Sequence, residues 1–426
     1  MLNNQDTKHI DRVKTELNAC SLETLQNFKG SNKPVMIGCY QLDQETKIRD
    51  GQLRLYYCKN GDHDESDIAN LSFGKEPATI HQCPGVLDGS WITCYNDEED
   101  RQVNMFASAS ATGKIYMHEM IEEDCADVDV QQQVSLIPRA TSEALVNSTT
   151  GENAICLALD CSVSHLASTA SQGTAKIVSS YSNGEVAIHD IDMVGMIEND
   201  QYHSLVLEET QRIRAHTLFG CPSEVWACCW AKTSTSTSSA NCILTGADDC
   251  KMKCWDLRAG SSRPVFVVDG EHEAGVTCLS YHPRKENLFA SGSYDEGIRL
   301  WDIRCMTKPV ICDKIDVGGG VWRIKWHPIQ DNIMLVACMH GGCRIVKVPT
   351  TTTGEISDDG DTSVGTKDES AEIVKAFTEH ESMAYGADWV LSSEGGSNGS
   401  DGDDEILVSS YKAATCSFYD QQAFLW

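Results

Sequence analysis

Positive charge is scarce in this chain of 426 residues. Lysine and arginine number 34 against 63 aspartate and glutamate residues, which gives a formal net charge of −29. Because phosphate backbones and anionic membrane surfaces repel such a surplus of carboxylates, we expect no nucleic acid and no membrane as the main partner. A basic or cationic partner fits the charge better, and a general gain in solubility is the ordinary alternative.

The 20 cysteines form no CxxC pair and no cysteine–histidine spacing of the kind that binds zinc. A secretory signal peptide and an apolar run long enough to span a bilayer are also missing. We therefore expect a cytoplasmic protein in a reducing compartment. Its cysteines should be small buried hydrophobic residues, and we expect no metal and no cofactor.

Helical periodicity is nearly absent, and the one candidate segment is residues 6–27. Residues 216–256 and 272–302 are instead two copies of one pattern, in which a histidine precedes an apolar strand, a serine or threonine, an aspartate and a final Trp-Asp pair. The matching positions are His216, Thr245, Asp249 and Trp255 in one copy and His272, Ser291, Asp295 and Trp301 in the other. This spacing is typical of WD40 repeats, in which the polar residues lock loops to strands.

Weaker copies elsewhere bring the total to seven, which predicts an all-β, seven-bladed WD40 β-propeller in a single domain. The predicted blades span approximately residues 15–85, 86–135, 150–195, 216–268, 270–312, 316–350 and 376–426. Polar, acidic inserts at 121–153, 191–215, 351–376 and 392–405 are expected to be surface loops. Both chain ends should complete one blade, with Arg12–Leu17 or Ala423–Trp426 as its last strand.

Departures from the repeat indicate a candidate site. In the sixth copy Gly318–Gly320 replace the structural histidine, and His340 replaces the structural aspartate. In the seventh copy His380 keeps the histidine position, but Ala413 is aligned with the aspartate. We therefore expect two imidazoles without structural partners on one face, with Ser382 in a loop beside them. The alternative is the ordinary loss of pattern in a degenerate repeat.

Aromatic residues follow the start of the inner strand in four copies, at Trp91, Trp226, Trp322 and Tyr385. Inner strands line the channel of a propeller, so these rings are expected to gather at one opening. Such a ring of aromatics would suit a quaternary ammonium group, and the glycines beside Trp322 would make room for it. The alternative is that the rings pack between blades.

Several segments resemble the diphthine methyl ester hydrolase family, the WD-repeat proteins of diphthamide biosynthesis. They are GGGVWRIKWHP (318–328), ACMHGGCRIV (337–346), EHESMAYGADW (379–389) and SSYKAATCSFYD (409–420), with TELNACSLETL (15–25) and GCYQLD (38–43) near the start. The resemblance implies hydrolysis of a methyl ester on a modified histidine of translation elongation factor two, which also carries a trimethylammonium group. That factor would be the protein substrate, and other proteins of diphthamide biosynthesis are further candidate partners.

Ester hydrolysis needs an activated nucleophile and donors for the developing oxyanion. Ser382 could attack with His380 or His340 as its base, or one histidine could activate water. The amides of Gly318–Gly320 are candidate oxyanion donors. GGSNG (395–399) matches a nucleophile elbow only formally, because no strand or helix flanks it. A non-enzymatic WD40 scaffold in protein complexes is the competing interpretation.

Overall fold

The computed structural model describes residues 7–28, 30, 32–60, 71–96, 101–123, 133–147, 150–162, 174–192, 196, 205–231, 241–260, 263–305, 309–349, 370–391 and 411–426. These ranges consist almost entirely of short β-strands, joined by turns and one 3₁₀ helix at Leu257–Ala259. No helix within them is long and apolar enough to cross a membrane.

The strands form sheet units of four or five antiparallel strands, numbered along the chain. Unit 1 consists of Asn18–Thr24, Lys33–Leu42, Arg49–Asn60, Leu71–Phe73 and Thr79–Pro84. Unit 2 consists of Val86–Asn96, Arg101–Ser110, Ile115–Glu123 and Gln133–Ser142. Unit 3 consists of Cys156–Cys161, Thr174–Tyr181, Glu185–Asp192 and Leu205–Arg214. The outer strands of units 2 and 3 also pair in parallel, which joins these two units into one sheet.

The second half of the chain repeats the arrangement. Unit 4 consists of Ala227–Trp230, Cys242–Gly246, Met252–Asp256 and Phe266–Val268. Unit 5 consists of Val276–Tyr281, Leu288–Ser293, Gly297–Asp302 and Val310–Asp316. Unit 6 consists of Arg323–Trp326, Ile333–Ala337, Cys343–Lys347 and Glu372–Phe377. Unit 7 consists of Ala384–Leu391, Tyr411–Ser417, Gln422–Leu425 and Asp11–Lys14. A small hairpin, Thr217–Leu218 with Cys221–Pro222, precedes unit 4.

Both chain ends complete unit 7. Gln422–Leu425 is its third strand, and Asp11–Lys14 pairs antiparallel with it as the outermost strand. Both segments predicted as candidates for the last strand therefore belong to this unit, the C-terminal segment as the third strand and the N-terminal segment as the outermost strand. The helix considered for residues 6–27 is wrong, because this segment forms two strands. The second of them, Asn18–Thr24, is buried on both faces as the first strand of unit 1, so the period-2 pattern of a half-exposed strand is hidden.

The first strands of the units contact one another in chain order, and the first strand of unit 7 contacts that of unit 1. Apolar clusters fill the spaces between neighbouring units, as in the cluster that unites units 5 and 6. The predicted all-β WD40 propeller class is thus confirmed. We propose that each sheet unit is one blade, which retains the predicted number of seven.

Three outer strands fall inside segments predicted to be surface loops. Gln133–Ser142 and Leu205–Arg214 lie within the predicted inserts at 121–153 and 191–215, and Glu372–Phe377 lies in the insert at 351–376 except for its last residue. The prediction failed there because these outer strands contain many polar residues and therefore have a composition similar to that of a loop. The insert at 392–405 lies outside the described residues.

The predicted structural role of His216 holds in detail. Its Nε2 bonds Thr245 Oγ1 at 2.8 Å, its Nδ1 bonds Asp249 at 2.9 Å, and the Trp255 indole donates to the same threonine at 3.0 Å. In unit 5, His272 and Trp301 share Ser291 Oγ in the same manner. The loop before the first strand is tied to the turn between the second and third strands by His216 and Asp249 in unit 4, and in unit 5 by the Glu273 amide, which donates to Asp295 at 2.8 Å. Both therefore lie on one face.

Candidate functional site

Three of the four predicted aromatic residues meet at one mouth of the channel. Trp226 and Trp322 directly precede the first strands of units 4 and 6, and Tyr385 is the second residue of the first strand of unit 7. The rings of Trp322 and Tyr385 stack with centroids 4.6 Å apart, and Trp226 lies 5.6 Å from Trp322. All three side chains are half-buried, so their faces are accessible from the mouth.

Tyr294 is a fourth ring that sequence reasoning missed. Its centroid lies 6.4 Å from Trp226 and 6.2 Å from Trp322. It lies in the turn between the second and third strands of unit 5, at the position held by Asp248 in unit 4. The sequence signal was the alignment of the turns in units 4 and 5, where Asp248 and Tyr294 each stand directly before the structural aspartate. This position also faces the mouth. We call Trp226, Tyr294, Trp322 and Tyr385 the aromatic rim.

Trp91 does not belong to the rim, and its prediction is corrected. A bulge follows Val86 at the start of its strand, as one follows Val276 in unit 5, so Leu87 occupies the rim position of unit 2. Trp91 lies further along, is 7% exposed, and packs on Phe106 with centroids 4.9 Å apart. Its indole donates to the Glu23 carbonyl at 3.1 Å, a contact between units that Trp230, Trp326 and Trp389 repeat elsewhere.

Carboxylates flank the rim. Asp248 Oδ1 accepts a 2.7 Å hydrogen bond from the Trp226 indole. Partial burial, together with the charge of Asp248, raises the pKa of Glu224. Burial and the same two carboxylates raise the pKa of Tyr294 to about 12, so its phenol stays neutral. Aromatic faces combined with negative charge attract a cation that cannot donate hydrogen bonds, such as a quaternary ammonium.

Ion pairs occupy the channel below the rim. Arg323 Nη2 donates to Asp88 at 2.7 Å, and Lys325 Nζ donates to Glu23 at 2.5 Å. The first strands enclose a cavity of about 240 Å³ around these charges. Arg323 and Lys325 thus place two positive charges beside this cavity, each paired with a carboxylate.

Gly319 and Gly320 have a packing role, which differs from the predicted role of making room for a ligand beside Trp322. A Cβ on Gly319 would lie 2.3 Å from the carbonyl oxygen of Cys338, so any side chain would separate the two loops of unit 6. A Cβ on Gly320 would lie 2.9 Å from Met339 Sδ and 3.5 Å from Tyr294. The absent side chain at Gly320 therefore lets Met339 and the rim approach each other, while Gly319 brings two backbones together.

Gly318 is unsuitable as an oxyanion donor in this conformation. Its N–H already donates to Asp316 Oδ1 at 2.9 Å. Its φ of 71° favours glycine, and no atom lies near the position of a Cβ. Its role is therefore to turn the chain before the rim residue Trp322.

His380 was predicted to lack a structural partner, and this is wrong. Its Nε2 bonds Thr415 Oγ1 at 3.0 Å, and its Nδ1 bonds Ser417 Oγ at 2.7 Å. The Trp426 indole donates to the same threonine at 3.0 Å, and Ser417 donates to Asp420 at 2.5 Å. This is the network of His216 with Ser417 inserted before the aspartate, so His380 is held as a structural histidine with both ring nitrogens engaged.

The error came from the alignment of the turn. The regular repeat spacing aligns Ala413 with the aspartate position, but Ala413 lies inside the strand Tyr411–Ser417. The amide of Phe418 donates to the carbonyl of Met383, just as the amide of Asp248 in unit 4 donates to the carbonyl of Glu224. Phe418 therefore corresponds to Asp248, and the next residue, Tyr419, stands at the position of the structural aspartate. Asp420 follows one residue later and reaches the network through Ser417.

Buried neutral histidines predict that acid destabilises the fold. Burial lowers the pKa of His380 and His272 from 6.5 to about 4. The unfolded chain therefore binds more protons between these pH values, and the free energy of unfolding falls as pH drops from about 6.5 to about 4. In denaturant titrations at a series of pH values, His380→Gln should show a shallower fall than the wild type. Parallel curves for the two proteins would contradict a neutral His380 in the folded protein.

His340 is the imidazole that remains accessible. Its side chain is 70% exposed, and Nε2 lies 3.9 Å from Glu296 Oε1. It lines an open depression of about 530 Å³ together with Ser382, Met383 and Tyr419, and the partly exposed His380 borders the same depression. The Ser382 hydroxyl accepts a 2.9 Å hydrogen bond from the Tyr419 amide, which fixes its oxygen but leaves its proton to donate.

This depression adjoins the rim. Tyr385 donates its hydroxyl to Met383 Sδ at 3.3 Å, and the backbone of Met339 bridges to Ala384. The structure therefore brings together His340, Ser382 and three of the predicted aromatics on one face. Within the described ranges, this site included, no three His, Cys, Asp or Glu side chains are close enough to hold a metal ion.

Comparisons with known proteins find WD repeats in the middle of the chain and similarity to named proteins over most of its length. The family model "WD domain, G-beta repeat" matches residues 211–256 and 262–302. A Dictyostelium discoideum protein named diphthine methyltransferase homolog is 28% identical over 83% of this chain and 78% of its own length. The Saccharomyces cerevisiae diphthine methyltransferase is 25% identical over 99% of this chain and 98% of its own length.

The chain is a WD40-repeat homologue of the diphthine methyltransferases. The human protein of that name is a further relative, 26% identical over 89% of this chain and 74% of its own length. These similarities extend well beyond the two repeats that the WD-domain model matches, and thus include the units that carry Trp322, His340 and Tyr385.

Proposed function

We propose that this protein acts in diphthamide biosynthesis as a carboxyl methylesterase. Its substrate would be the methyl ester of the diphthine intermediate on the modified histidine of translation elongation factor two. The observation that carries the proposal is the aromatic rim with its flanking carboxylates, next to an accessible histidine and serine. The relatives are named methyltransferases, so the proposed hydrolysis differs from the reaction that their name states.

The trimethylammonium group of the substrate is proposed to bind at the rim. Each well-placed ring would contribute about 0.5–2 kcal/mol through cation–π contact. Asp248 and Glu224 add attraction without needing a hydrogen-bond donor on the ligand. Because the cationic side chains of Arg323 and Lys325 line the channel below, the cation would stay at the mouth, with the attached ester directed across the surface.

The ester is proposed to lie in the depression beside Tyr385. His340 would take a proton from water as the water oxygen bonds to the ester carbonyl carbon. The Ser382 hydroxyl would donate a hydrogen bond to the developing oxyanion, while its oxygen accepts a hydrogen bond from the Tyr419 amide. Collapse breaks the bond to the methoxy oxygen, which recovers the proton from His340 and leaves as methanol, so that a carboxylate remains.

Direct attack by Ser382 with His340 as base stays a second route for the same residues. His380 has no part in either route, because its two ring nitrogens bond Ser417 and Thr415. Ser382→Ala should reduce turnover about 100-fold to 1,000-fold if the serine is an oxyanion donor, and far more if it is the nucleophile.

Mass spectrometry of the modified histidine peptide tests the activity. Elongation factor two bearing the methyl ester, incubated with the protein, should lose the mass of one CH₂ group as the ester becomes the acid. A parallel incubation of the unesterified factor with S-adenosylmethionine should show no gain of that mass. An unchanged ester despite tight binding of the factor would favour the scaffold interpretation, and a methyl gain would favour transfer.

A further inference from the structure

We propose that the hairpin at residues 217–222 is a docking element that inserts an aromatic side chain into the protein substrate. The inference rests on the proposed function for the identity of the partner. It concerns a surface outside the aromatic rim, and it assigns to Phe219 the recognition of the folded protein rather than of the modified side chain.

The hairpin is short and well defined. Thr217 pairs with Pro222 and Leu218 with Cys221, which leaves Phe219 and Gly220 as the two turn residues. Both have positive φ, 51° for Phe219 and 83° for Gly220. Two-residue turns of this kind favour Asn-Gly, since a left-handed backbone suits small polar residues and glycine. A phenylalanine at the first turn position is therefore not explained by the turn.

Packing does not explain it either. Phe219 is 98% exposed and Leu218 is 43% exposed, the former being the most exposed large apolar side chain among the described residues. No atom lies near the position of a Cβ on Gly220, so the tip projects into open space. An aromatic side chain that is both conformationally disfavoured and fully hydrated is costly to the free protein. Aromatic anchors of this kind are frequent hot spots at protein interfaces.

The base of the hairpin is fixed at the rim face. His216, which precedes it, is held by Asp249 and Thr245, and its carbonyl accepts from the Ser223 amide at 3.3 Å. Its amide donates to Gly184 in the turn of unit 3. The rim residue Trp226 follows four residues after Pro222. A protein that places a side chain at the rim would thus approach the hairpin tip.

The charge of this face indicates the kind of partner. Exposed carboxylates surround the mouth on loops and turns of units 4, 5 and 7, at Glu224, Asp248, Glu271, Glu273 and Glu381. Lys251, on the same face, is neutralised by its ion pair with Asp269 at 2.6 Å. We infer a folded partner with a basic surface and an apolar cavity for Phe219, and we assign both to the elongation factor.

The test uses Phe219→Asn, which removes the ring while supplying the residue that the turn prefers. Binding of ester-bearing elongation factor two, measured by biolayer interferometry, should weaken at least about tenfold. The melting temperature should not fall, and binding of tetramethylammonium at the rim should be unchanged. Val206→Thr is the matched control, because Val206 is 63% exposed but lies on the outer strand of unit 3. This variant should bind the factor with wild-type affinity.

Wild-type affinity in Phe219→Asn would overturn the docking role, as would a wild-type protein that does not bind the factor at all. The two proposals fail separately. If the wild type binds the factor through Phe219 but leaves the ester intact, the esterase proposal fails and the docking role stands. If the wild type hydrolyses the ester and Phe219→Asn has an unchanged KM, the docking role fails and the esterase proposal stands.

Discussion

Trp322→Ala should lower kcat/KM for the ester-bearing factor by about 30-fold or more while the protein stays folded. Trp322 contacts both Trp226 and Tyr385, so its loss opens the centre of the rim. Removing one stacked ring that also contacts the cation corresponds to roughly 2 kcal/mol or more of binding free energy. The loss should appear in KM, because the trimethylammonium group lies away from the bonds that change.

Trp326→Ala is the matched control within the same stretch of chain. Trp326 is 6% exposed, and its indole donates to the Ser280 carbonyl of the preceding unit at 3.1 Å. Its removal leaves a cavity between units and should cost about 3–5 kcal/mol of stability. Chemical denaturation and steady-state kinetics on both variants separate the roles. Equal losses of stability, with normal KM for Trp322→Ala, would mean that the rim is only packing.

His340→Ala should lower kcat by about 100-fold or more, with little change in stability. The side chain is 70% exposed and makes no close hydrogen bond, so the fold does not depend on it. As the proposed base it acts only while the ester bond is being broken, which places the effect on kcat rather than on binding.

His380→Ala provides the contrast. It removes the centre of the network with Thr415 and Ser417 and should lower the melting temperature, while the folded fraction retains its kcat. Single-turnover measurements on equal amounts of folded protein compare the two variants. Full activity in His340→Ala would move catalysis to another residue.

The sequence predicted the propeller because its strongest signal is local and repeated. The His–Ser/Thr–Trp networks of units 4 and 5 have fixed spacings, and the structure reproduces them. Outer strands were missed because their many polar residues resemble loop composition. The last unit was misaligned because its network uses Asp420 through Ser417, one residue beyond the regular spacing, and no pairwise spacing rule includes such a relay.

The candidate site was half predictable for a related reason. Trp226, Trp322 and Tyr385 were identified from their position in the repeat, and they do meet at one mouth. Trp91 was misplaced because a bulge near Val86 shifts the register, and a shift of this kind is not readable from the order of residues alone. Tyr294 was missed because the rim is built from turns as well as from strand starts.

The most direct test of the esterase account is hydrolysis in water enriched in the heavy isotope of oxygen. The account predicts that the peptide from ester-bearing elongation factor two loses its methyl group and gains one heavy oxygen in the new carboxylate, with unlabelled methanol released. Trp322→Ala and His340→Ala should slow this reaction, and Val206→Thr should not. Loss of the methyl group without label, or an ester that persists beside the bound wild-type protein, would contradict it.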